Sequence, residues 1–432
     1  MAAFDAPELQ PLARRHLRRN FTLGVLNGAL FAFGDALQDA NLVLSVFINR
    51  LTGSSLLVGL LQPVRLGGWY LPQLFVSCRM QAAERKLPYY RLGTVFRASA
   101  ALGVGLSVLL VHDPRLLLPL IFLLLAIFSL SGGLSGIAYA NLVAKTIPSR
   151  RRGSFAAWRI FTGGLLALGG SFLARYLIGG GAGLTFPSNF GLLLLIGGLG
   201  IASGMAAYAF VIEPPDARVP PTVSVTAQLG RSAQLLRQNH DYRYYLIARV
   251  LLMLSEVAAP FYVIYGKGIL GLPDSIAGVY LMVGTGANIL STYVWGRISD
   301  GIGNRTVLLL VSCLGVLAPL AALGTAPLLV LLGHGSWLPP ALFAALFAFL
   351  GAARTGLDAG GFNFLLDLAP HDDRPIYIGL TNTVVGLATL LTAAGGLIVH
   401  FAGPRALFVI AALLYLGGGA CLLRTHEPRQ QE

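Results

Sequence analysis

The sequence predicts an all-α membrane protein with twelve transmembrane helices, arranged as two pseudo-symmetric six-helix bundles. Two observations carry this prediction. Of the 432 residues, 55% are apolar and only 11% are charged, whereas a soluble domain has about 25% charged residues. Apolar runs long enough to cross a bilayer, which takes about 20 residues, recur along the chain. The runs are continuous rather than alternating, which argues against transmembrane strands.

Twelve apolar segments are the predicted spans. The first is too long for the core of a cleaved signal peptide, so we interpret it as a retained span. The spans are residues 21–48, 55–78, 92–111, 116–143, 154–177, 190–212, 244–269, 275–296, 306–323, 339–366, 376–400 and 406–423. They define a cytoplasmic N-terminal segment (1–20), an N-terminal bundle (21–212), a central cytoplasmic loop (213–243), a C-terminal bundle (244–424) and a cytoplasmic tail (425–432).

The distribution of basic residues predicts the orientation. Of the 31 lysines and arginines, 21 fall on the side that holds both termini, here called the basic side, and five on the opposite side. Cytoplasmic loops carry an excess of Lys and Arg, so both termini are expected in the cytoplasm. This topology accounts for the net charge of +13 without a nucleic-acid partner. Arginine far exceeds lysine, which hints at a GC-rich bacterial genome and a bacterial cytoplasmic membrane.

The two halves of the chain resemble each other. The segment 77–86 follows the second span and 296–305 follows the eighth, and Gly59 falls on Gly278 at the same offset. After spans four and ten, Asn141 falls on Asn363 and Arg152 on Arg374. A duplicated six-helix unit leaves such offsets, and parallel repeats are one plan of transporters with a midplane binding site.

The loop "GRISDGIGNR" (296–305) has the form G-x-x-x-D-x-x-G-x-R. It resembles the signature loop of the major facilitator superfamily, which lies between spans two and three and often again between spans eight and nine. The matching residues are Gly296, Asp300, Gly303 and Arg305. The first-half copy is degraded, because Ser77, Gln81 and Glu84 replace the glycine, aspartate and glycine, while Lys86 retains the cation.

The resemblance covers nearly the whole chain through the span count, the central loop and the repeat. It implies a transporter in which spans one, four, seven and ten line a central cavity. It also implies a gate on the cytoplasmic side, formed by the signature loop with Arg152 and Arg374. We expect Asp300 to face the start of span five, where free N–H groups favour an anion. Gln81, the corresponding residue of the first half, lacks this charge. We therefore expect such a contact, here called the latch, only from the loop of the second half.

Ionisable residues inside the membrane indicate function by default. Their predicted positions are Asp35 and Asp39 in span one, Arg65 in span two, Glu256 in span seven, and Arg354 and Asp358 in span ten. Asp35 and Asp39 are four residues apart and would share one helix face, as would Arg354 and Asp358. Arg97, Arg159 and Arg249 are expected to snorkel towards the basic side.

Four acids against two deep arginines leave carboxylates without an obvious partner, and desolvation favours their neutral form. We expect proton or cation coupling through Asp35, Asp39 or Glu256. A purely structural role for all three, with Arg65 and Arg354 neutralising acids, remains an alternative, as does direct solute binding without coupling. The remaining expected cavity residues are Gln38, Arg65, Tyr139, Asn141, Arg354, Asp358, Asn363 and Asn382.

The predicted function is therefore secondary transport of a small, polar or zwitterionic solute by alternating access, coupled to a proton or cation gradient. We expect the protein to act as a monomer in a lipid bilayer, without cofactor or metal. A facilitative uniporter of the same fold is the first alternative. A membrane enzyme that pairs intramembrane acids such as Asp35 and Glu256 is the second, although no P-loop, HExxH motif or serine triad is recognisable. A receptor or assembly factor on the same fold is the third.

Overall fold

A computed structural model of the protein describes residues 10–81, 83–216, 235–236, 238–333, 335–370 and 374–427. Within these ranges the chain is helical and contains no β-strand. Nine helical stretches there are long and apolar enough to cross a membrane, and the last, Ile376–Leu423, contains two predicted spans on either side of a kink at Gly403. The prediction of an all-α, multi-pass membrane protein is confirmed.

The α-helices are numbered in chain order. They are α1 (Pro11–Arg15), α2 (Leu17–Leu37), α3 (Ser45–Thr52), α4 (Ser55–Gly59), α5 (Gly68–Gln81), α6 (Leu87–Leu110), α7 (Pro114–Thr146), α8 (Ser149–Ile178), α9 (Ser188–Ala209), α10 (His240–Leu254), α11 (Ala259–Leu270), α12 (Ile276–Gly301), α13 (Asn304–Leu332), α14 (Leu338–Leu368), α15 (Arg374–Leu390) and α16 (Ala394–Leu423).

The chain forms two compact units. Unit 1 comprises Met1–Asp39 and Val64–Val225, and unit 2 comprises Ala40–Pro63 and Thr226–Glu432. The segment 40–63, which joins the first two predicted spans, therefore packs with the C-terminal helices. The domain boundaries at 212 and 244 stay a prediction.

Unit 1 is held together by close contacts between helices. Glycines make these contacts possible, as is common in membrane bundles. A Cβ atom at Gly34 of α2 would lie 2.2 Å from the carbonyl oxygen of Gly197 in α9, and one at Gly105 of α6 would lie 2.3 Å from the backbone nitrogen of Leu195. The buried core of this unit includes Tyr90, Phe128, Leu142, Ile201 and Tyr208.

Unit 2 has an aromatic core and includes segment 40–63, which packs against its helices. The core includes Tyr242, Tyr245, Leu308, Phe364 and Tyr415. A Cβ atom at Gly59 of α4 would lie 2.5 Å from the backbone nitrogen of Gly396 in α16, and the Ser55 hydroxyl donates to the carbonyl of Gly396 at 3.3 Å. Asp274 forms ion pairs with both Arg50 and Lys267.

Several predicted spans are interrupted helices. In span one, α2 ends at Leu37 and a π-helix over Ala40–Leu44 follows; in span two a π-helix covers Pro63–Gly67. Spans seven and eleven contain 3-10 segments at Ser255–Ala258 and Leu391–Ala393. The expectation that Asp35 and Asp39 share one helix face is wrong, because the α-helix ends between them.

Candidate functional site

Asp35 and Arg65 form an ion pair within unit 1. Asp35 lies in the last turn of α2, and Arg65 lies in the π-helix of span two. The Arg65 side chain is 11% exposed, whereas that of Asp35 is 47% exposed. The arginine is therefore enclosed while its carboxylate partner remains accessible. The guanidinium also stacks on Phe128, with Cζ 4.8 Å from the ring centroid.

Arg97 of α6 lies between two aromatic rings. Its Cζ is 4.7 Å from the centroid of Phe31 and 4.5 Å from that of Phe128. Arg65 and Arg97 thus stack on the same phenylalanine, and Arg97 interacts electrostatically with Asp35. The expectation that Arg97 snorkels to the membrane surface is wrong, because these aromatic contacts hold it inside unit 1.

Arg159 of α8 is held in the same manner. Its Cζ lies 4.5 Å from the centroid of Tyr139 and 5.6 Å from that of Phe155. A Cβ atom at Gly28 of α2 would lie 2.7 Å from Arg159 Nε, so only glycine leaves room for this side chain there. Tyr139, an expected cavity residue, therefore supports Arg159, and this arginine does not snorkel.

Glu256 lies among tyrosines in unit 2. It belongs to the 3-10 segment between α10 and α11. Its carboxylate interacts electrostatically with the phenols of Tyr262 and Tyr415, and Arg354 also acts on Tyr415. The interruption places Glu256 where backbone groups depart from α-helical pairing, as is typical of ion and solute sites in transporters.

Other polar residues of unit 2 are distributed over its helices. Arg354 and Asp358 are both exposed on α14, and their expected pairing along the helix stays a prediction. Asn363 of α14 and Asn382 of α15 are half-buried. Arg249 donates from Nη1 to the carbonyl of Leu357 at 2.9 Å and does not snorkel.

Two amides expected in the cavity are committed to the backbone. Gln38 is 1% exposed and donates to the carbonyls of Ala101 at 2.9 Å and Leu194 at 2.7 Å. It ties the end of α2 to α6 and α9, so we correct its assignment from cavity wall to helix packing. Asn141 donates to the carbonyl of Ile137, one turn back in α7, at 2.9 Å.

The signature loop is built around Gly303. Its φ of 122° is a conformation that favours glycine, and a Cβ atom there would lie 2.4 Å from the carboxylate carbon of Glu427. Glu427 accepts from the backbone nitrogen of Arg305 at 2.8 Å, at the start of α13. The Arg305 guanidinium donates to the carbonyls of Leu422 and Leu423 at the end of α16.

The other expected gate residues have individual positions. Gly296 and Asp300 lie on the last turns of α12, and Asp300 is exposed. Arg152 donates to the carbonyls of Ala144 at 2.8 Å and Ile147 at 3.2 Å, and so caps the end of α7. The side chains of Arg374, Ser77 and Gln81 lie outside the described residues. The gate itself stays a prediction.

A second cap of the same kind occurs in unit 1, and our sequence reasoning missed it. Glu213 accepts from the backbone nitrogens of Lys86, at 2.7 and 2.9 Å, and Leu87, at 2.8 Å, at the start of α6. It also pairs with Lys145 at 2.7 Å. Glu213 and Glu427 each follow the last span of a half and are each followed by proline, which was the available signal.

The comparisons with known proteins agree with this architecture. Residues 319–432 match the model of the Major Facilitator Superfamily. No curated protein matches the chain by sequence. Among the described residues, no group of three or more His, Cys, Asp or Glu side chains could hold a metal ion.

Solved structures share the fold at low sequence identity. The nucleoside transporter NupG has a TM-score of 0.69 at 12% identity, with 94% of this chain and 99% of that chain covered. A D-xylose-proton symporter has a TM-score of 0.68 at 15% identity, with 96% and 99% covered. A bacterial homologue of the iron transporter ferroportin, in an outward-facing state, has a TM-score of 0.64 at 15% identity, with 94% and 98% covered. The resemblance indicated by the signature loop is thus confirmed, and this chain is a multi-pass membrane protein with the fold of major facilitator superfamily transporters.

Proposed function

We propose that the protein is a secondary active transporter that moves a small solute by alternating access, coupled to a proton gradient. We place it in a bacterial cytoplasmic membrane with both termini in the cytoplasm, where it acts as a monomer. The transporter fold and the excess of basic residues at one side support this proposal.

The observation that carries the coupling proposal is the position of the membrane carboxylates at helix interruptions. Asp35 lies in the last turn before the break in span one, and Glu256 lies inside the break in span seven. Asp39 lies in the break itself, between α2 and the π-helix. Ionisable groups at such breaks are typical of proton and ion pathways. The exposure of Asp35 gives protons access to it, although Arg65 is its partner.

The test is flux in proteoliposomes with an imposed pH gradient. A pH-sensitive dye enclosed in the vesicles reports proton movement when a sugar, a nucleoside or an organic anion is added outside. We expect one of these solutes to move protons with the wild-type protein. Asp35→Asn, Asp39→Asn and Glu256→Gln should abolish gradient-driven accumulation in at least one case while solute exchange continues.

The matched control is Asp113→Asn, which makes the same chemical change at the start of α7, where the side chain caps the backbone nitrogen of Arg115. It should transport like the wild type. If all three membrane variants retain gradient-driven transport, the coupling assignment is wrong. If the wild type equilibrates its solute without responding to the gradient, the protein is a uniporter.

We also propose that the signature loop latches the cytoplasmic side through Asp300. Asp300→Asn should shift the protein towards its inward-open state, because the loop loses its only acidic group. Unchanged transport and unchanged labelling of cysteines introduced on the cytoplasmic side would refute the latch.

A further inference from the structure

Unit 1 contains three enclosed arginines that come from three separate elements. Arg65 belongs to the π-helix of span two, Arg97 to α6 and Arg159 to α8. Each guanidinium lies on an aromatic ring, at 4.5 to 4.8 Å from at least one ring centroid. We call these three residues the arginine ladder.

The arginine ladder runs along α2. Arg65 pairs with Asp35, Arg97 stacks on Phe31, and Arg159 packs against Gly28. At about 1.5 Å of rise per residue, these three levels are separated by about 6 Å and about 4.5 Å. The positive charges therefore follow one another at about one helical turn, from the break in span one towards the N-terminal end of α2, on the basic side.

The rungs of the ladder retain unused hydrogen-bond donors. Arg65 Nη1, Arg97 Nε and Arg159 Nη1 are buried and have no hydrogen-bond partner in the described part of the chain. A buried donor without an acceptor is costly, and more so when it is charged. Cation–π stacking offsets part of this cost, but it uses the flat face of the guanidinium and leaves the N–H groups at its edge without an acceptor. The N–H edges remain suited to an oxyanion.

Glycines on neighbouring helices make room for two of the rungs. A Cβ atom at Gly132 of α7 would lie 2.9 Å from Arg97 Cζ, and one at Gly28 of α2 would lie 2.7 Å from Arg159 Nε. These arginines are therefore enclosed by the helices of the bundle. Enclosing a charge costs free energy of desolvation, and an apolar side chain would fill the same space without that cost. Apart from Arg175, two residues from the end of span five, the membrane spans assigned to unit 1 contain three arginines against two aspartates, Asp35 and Asp39, so this unit has a positive interior.

We propose that the arginine ladder binds the negatively charged group of the transported solute, and hence that the solute is an oxyanion, such as a carboxylate or a phosphate, rather than a neutral sugar or nucleoside. That the bound anion is also transported rests on the proposed function, whereas the anion-binding site does not. Within the arginine ladder, the Asp35 carboxylate already accepts from Nη2 of Arg65. The donors left for a bound oxyanion are Arg65 Nη1, Arg97 Nε and Arg159 Nη1.

The test is equilibrium binding to the purified, detergent-solubilised full chain. The probes are anions with neutral counterparts: succinate with succinamide, gluconate with glucose, and uridine monophosphate with uridine. We expect at least one anion to bind and to raise the melting temperature while its neutral counterpart does neither. Arg97→Gln and Arg159→Gln should each weaken that binding by at least about tenfold, the loss of one charge-assisted hydrogen bond. Asp35→Asn should tighten it, because the resident competitor is removed.

Two further variants separate a binding role from a folding role. Gly132→Ala retains every charge but displaces the Arg97 guanidinium, and should weaken anion binding while the protein remains folded. Arg115→Gln removes an exposed arginine at the start of α7 and should bind like the wild type. Equal binding of anions and neutral counterparts, no anion binding at all, or unchanged binding in both Arg97→Gln and Arg159→Gln would overturn the proposal.

The outcomes also separate this proposal from the proposed function. Anion binding that depends on the arginine ladder, without flux in proteoliposomes, would refute transport and leave the anion site. Coupled flux of a neutral solute that is insensitive to Arg97→Gln and Arg159→Gln would refute the anion site and leave transport.

Discussion

Glu213→Gln should destabilise unit 1 more than any other single isosteric change at the ends of its helices. The Glu213 side chain is 1% exposed. Its Oε1 accepts from the backbone nitrogen of Lys86 and the ammonium of Lys145, and its Oε2 accepts from the backbone nitrogens of Lys86 and Leu87. An amide retains only one acceptor oxygen. Whichever way it is oriented, one buried N–H or the Lys145 ammonium loses its acceptor, and the negative charge at the start of α6 is lost.

The magnitude follows from these contacts. A hydrogen bond to a charged group is worth about 1.5–3 kcal/mol, and a buried donor left without a partner costs about 1–3 kcal/mol. Together they predict a loss of about 3–5 kcal/mol in the free energy of unfolding. For a folding unit of 150–250 residues, each kcal/mol lowers Tm by about 2–4 °C, so the expected change is on the order of 10 °C.

The matched control is Glu427→Gln at the equivalent cap of unit 2. Glu427 accepts from one backbone nitrogen, that of Arg305, and its Oε1 is buried without a partner among the described residues. An amide oxygen can replace Oε2 there, so the loss is mainly that of a charge at a helix N-terminus, at most about 2 kcal/mol. Thermal unfolding followed by circular dichroism at 222 nm measures both variants. The reasoning is refuted if Glu213→Gln melts within about 2 °C of the wild type or of Glu427→Gln.

Three further predictions concern contacts within unit 2 and the basic side of unit 1. Asp274→Asn breaks the ion pairs with Arg50 and Lys267 and should loosen segment 40–63. A cysteine introduced by Ser55→Cys should then react faster with an impermeant maleimide than the same cysteine beside Asp274, and an unchanged rate would contradict this. Gly59→Ala should lower Tm by several degrees because its Cβ would clash with backbone, whereas Gly286→Ala, which meets nothing within 4 Å, should not; equal Tm values would count against the contact. Burial raises the pKa of Asp216, but hydrogen bonds from two lysines lower it more, so the net pKa lies below the ordinary value of 3.8. The carboxylate therefore stabilises the fold above that pH and ceases to do so as pH falls through its lowered pKa; Asp216→Asn should cost stability at pH 7, and a deficit in Tm that stays constant down to pH 3 would refute the assignment.

The sequence was sufficient for the features that depend on composition and local backbone geometry. Continuous apolar runs predict membrane helices wherever they occur, because an unpaired backbone is too costly in lipid. Gly303 was recognisable for a related reason, since its φ of 122° restricts that loop position to glycine. Arg65 could be paired with an acid by charge counting alone, although which acid was not determined by the count.

The features that depend on tertiary contacts could not be predicted in this way. The helix break between Leu37 and Ala40 contains no proline or glycine from which it could be predicted. Gln38 is polar and lies beside two acids, which favours a cavity position, yet its amide is used by α6 and α9. Arg97 was assigned to the surface because snorkelling is the usual way to accommodate an arginine, and the aromatic rings that hold it inside come from α2 and α7.

The internal repeat is preserved where it serves the scaffold and has diverged where charge lies inside the membrane. Glu213 and Glu427 cap equivalent helices in the two halves, although the loops that they support differ in sequence. The interiors differ in kind. Unit 1 holds the arginine ladder on aromatic rings, whereas unit 2 places Glu256 beside two tyrosine phenols. A duplicated framework needs its caps in both copies in order to fold, whereas the framework does not fix the charge inside each unit. The arginine ladder makes the interior of unit 1 positive, and this is the reason that we propose the binding site for the negative group of the solute there.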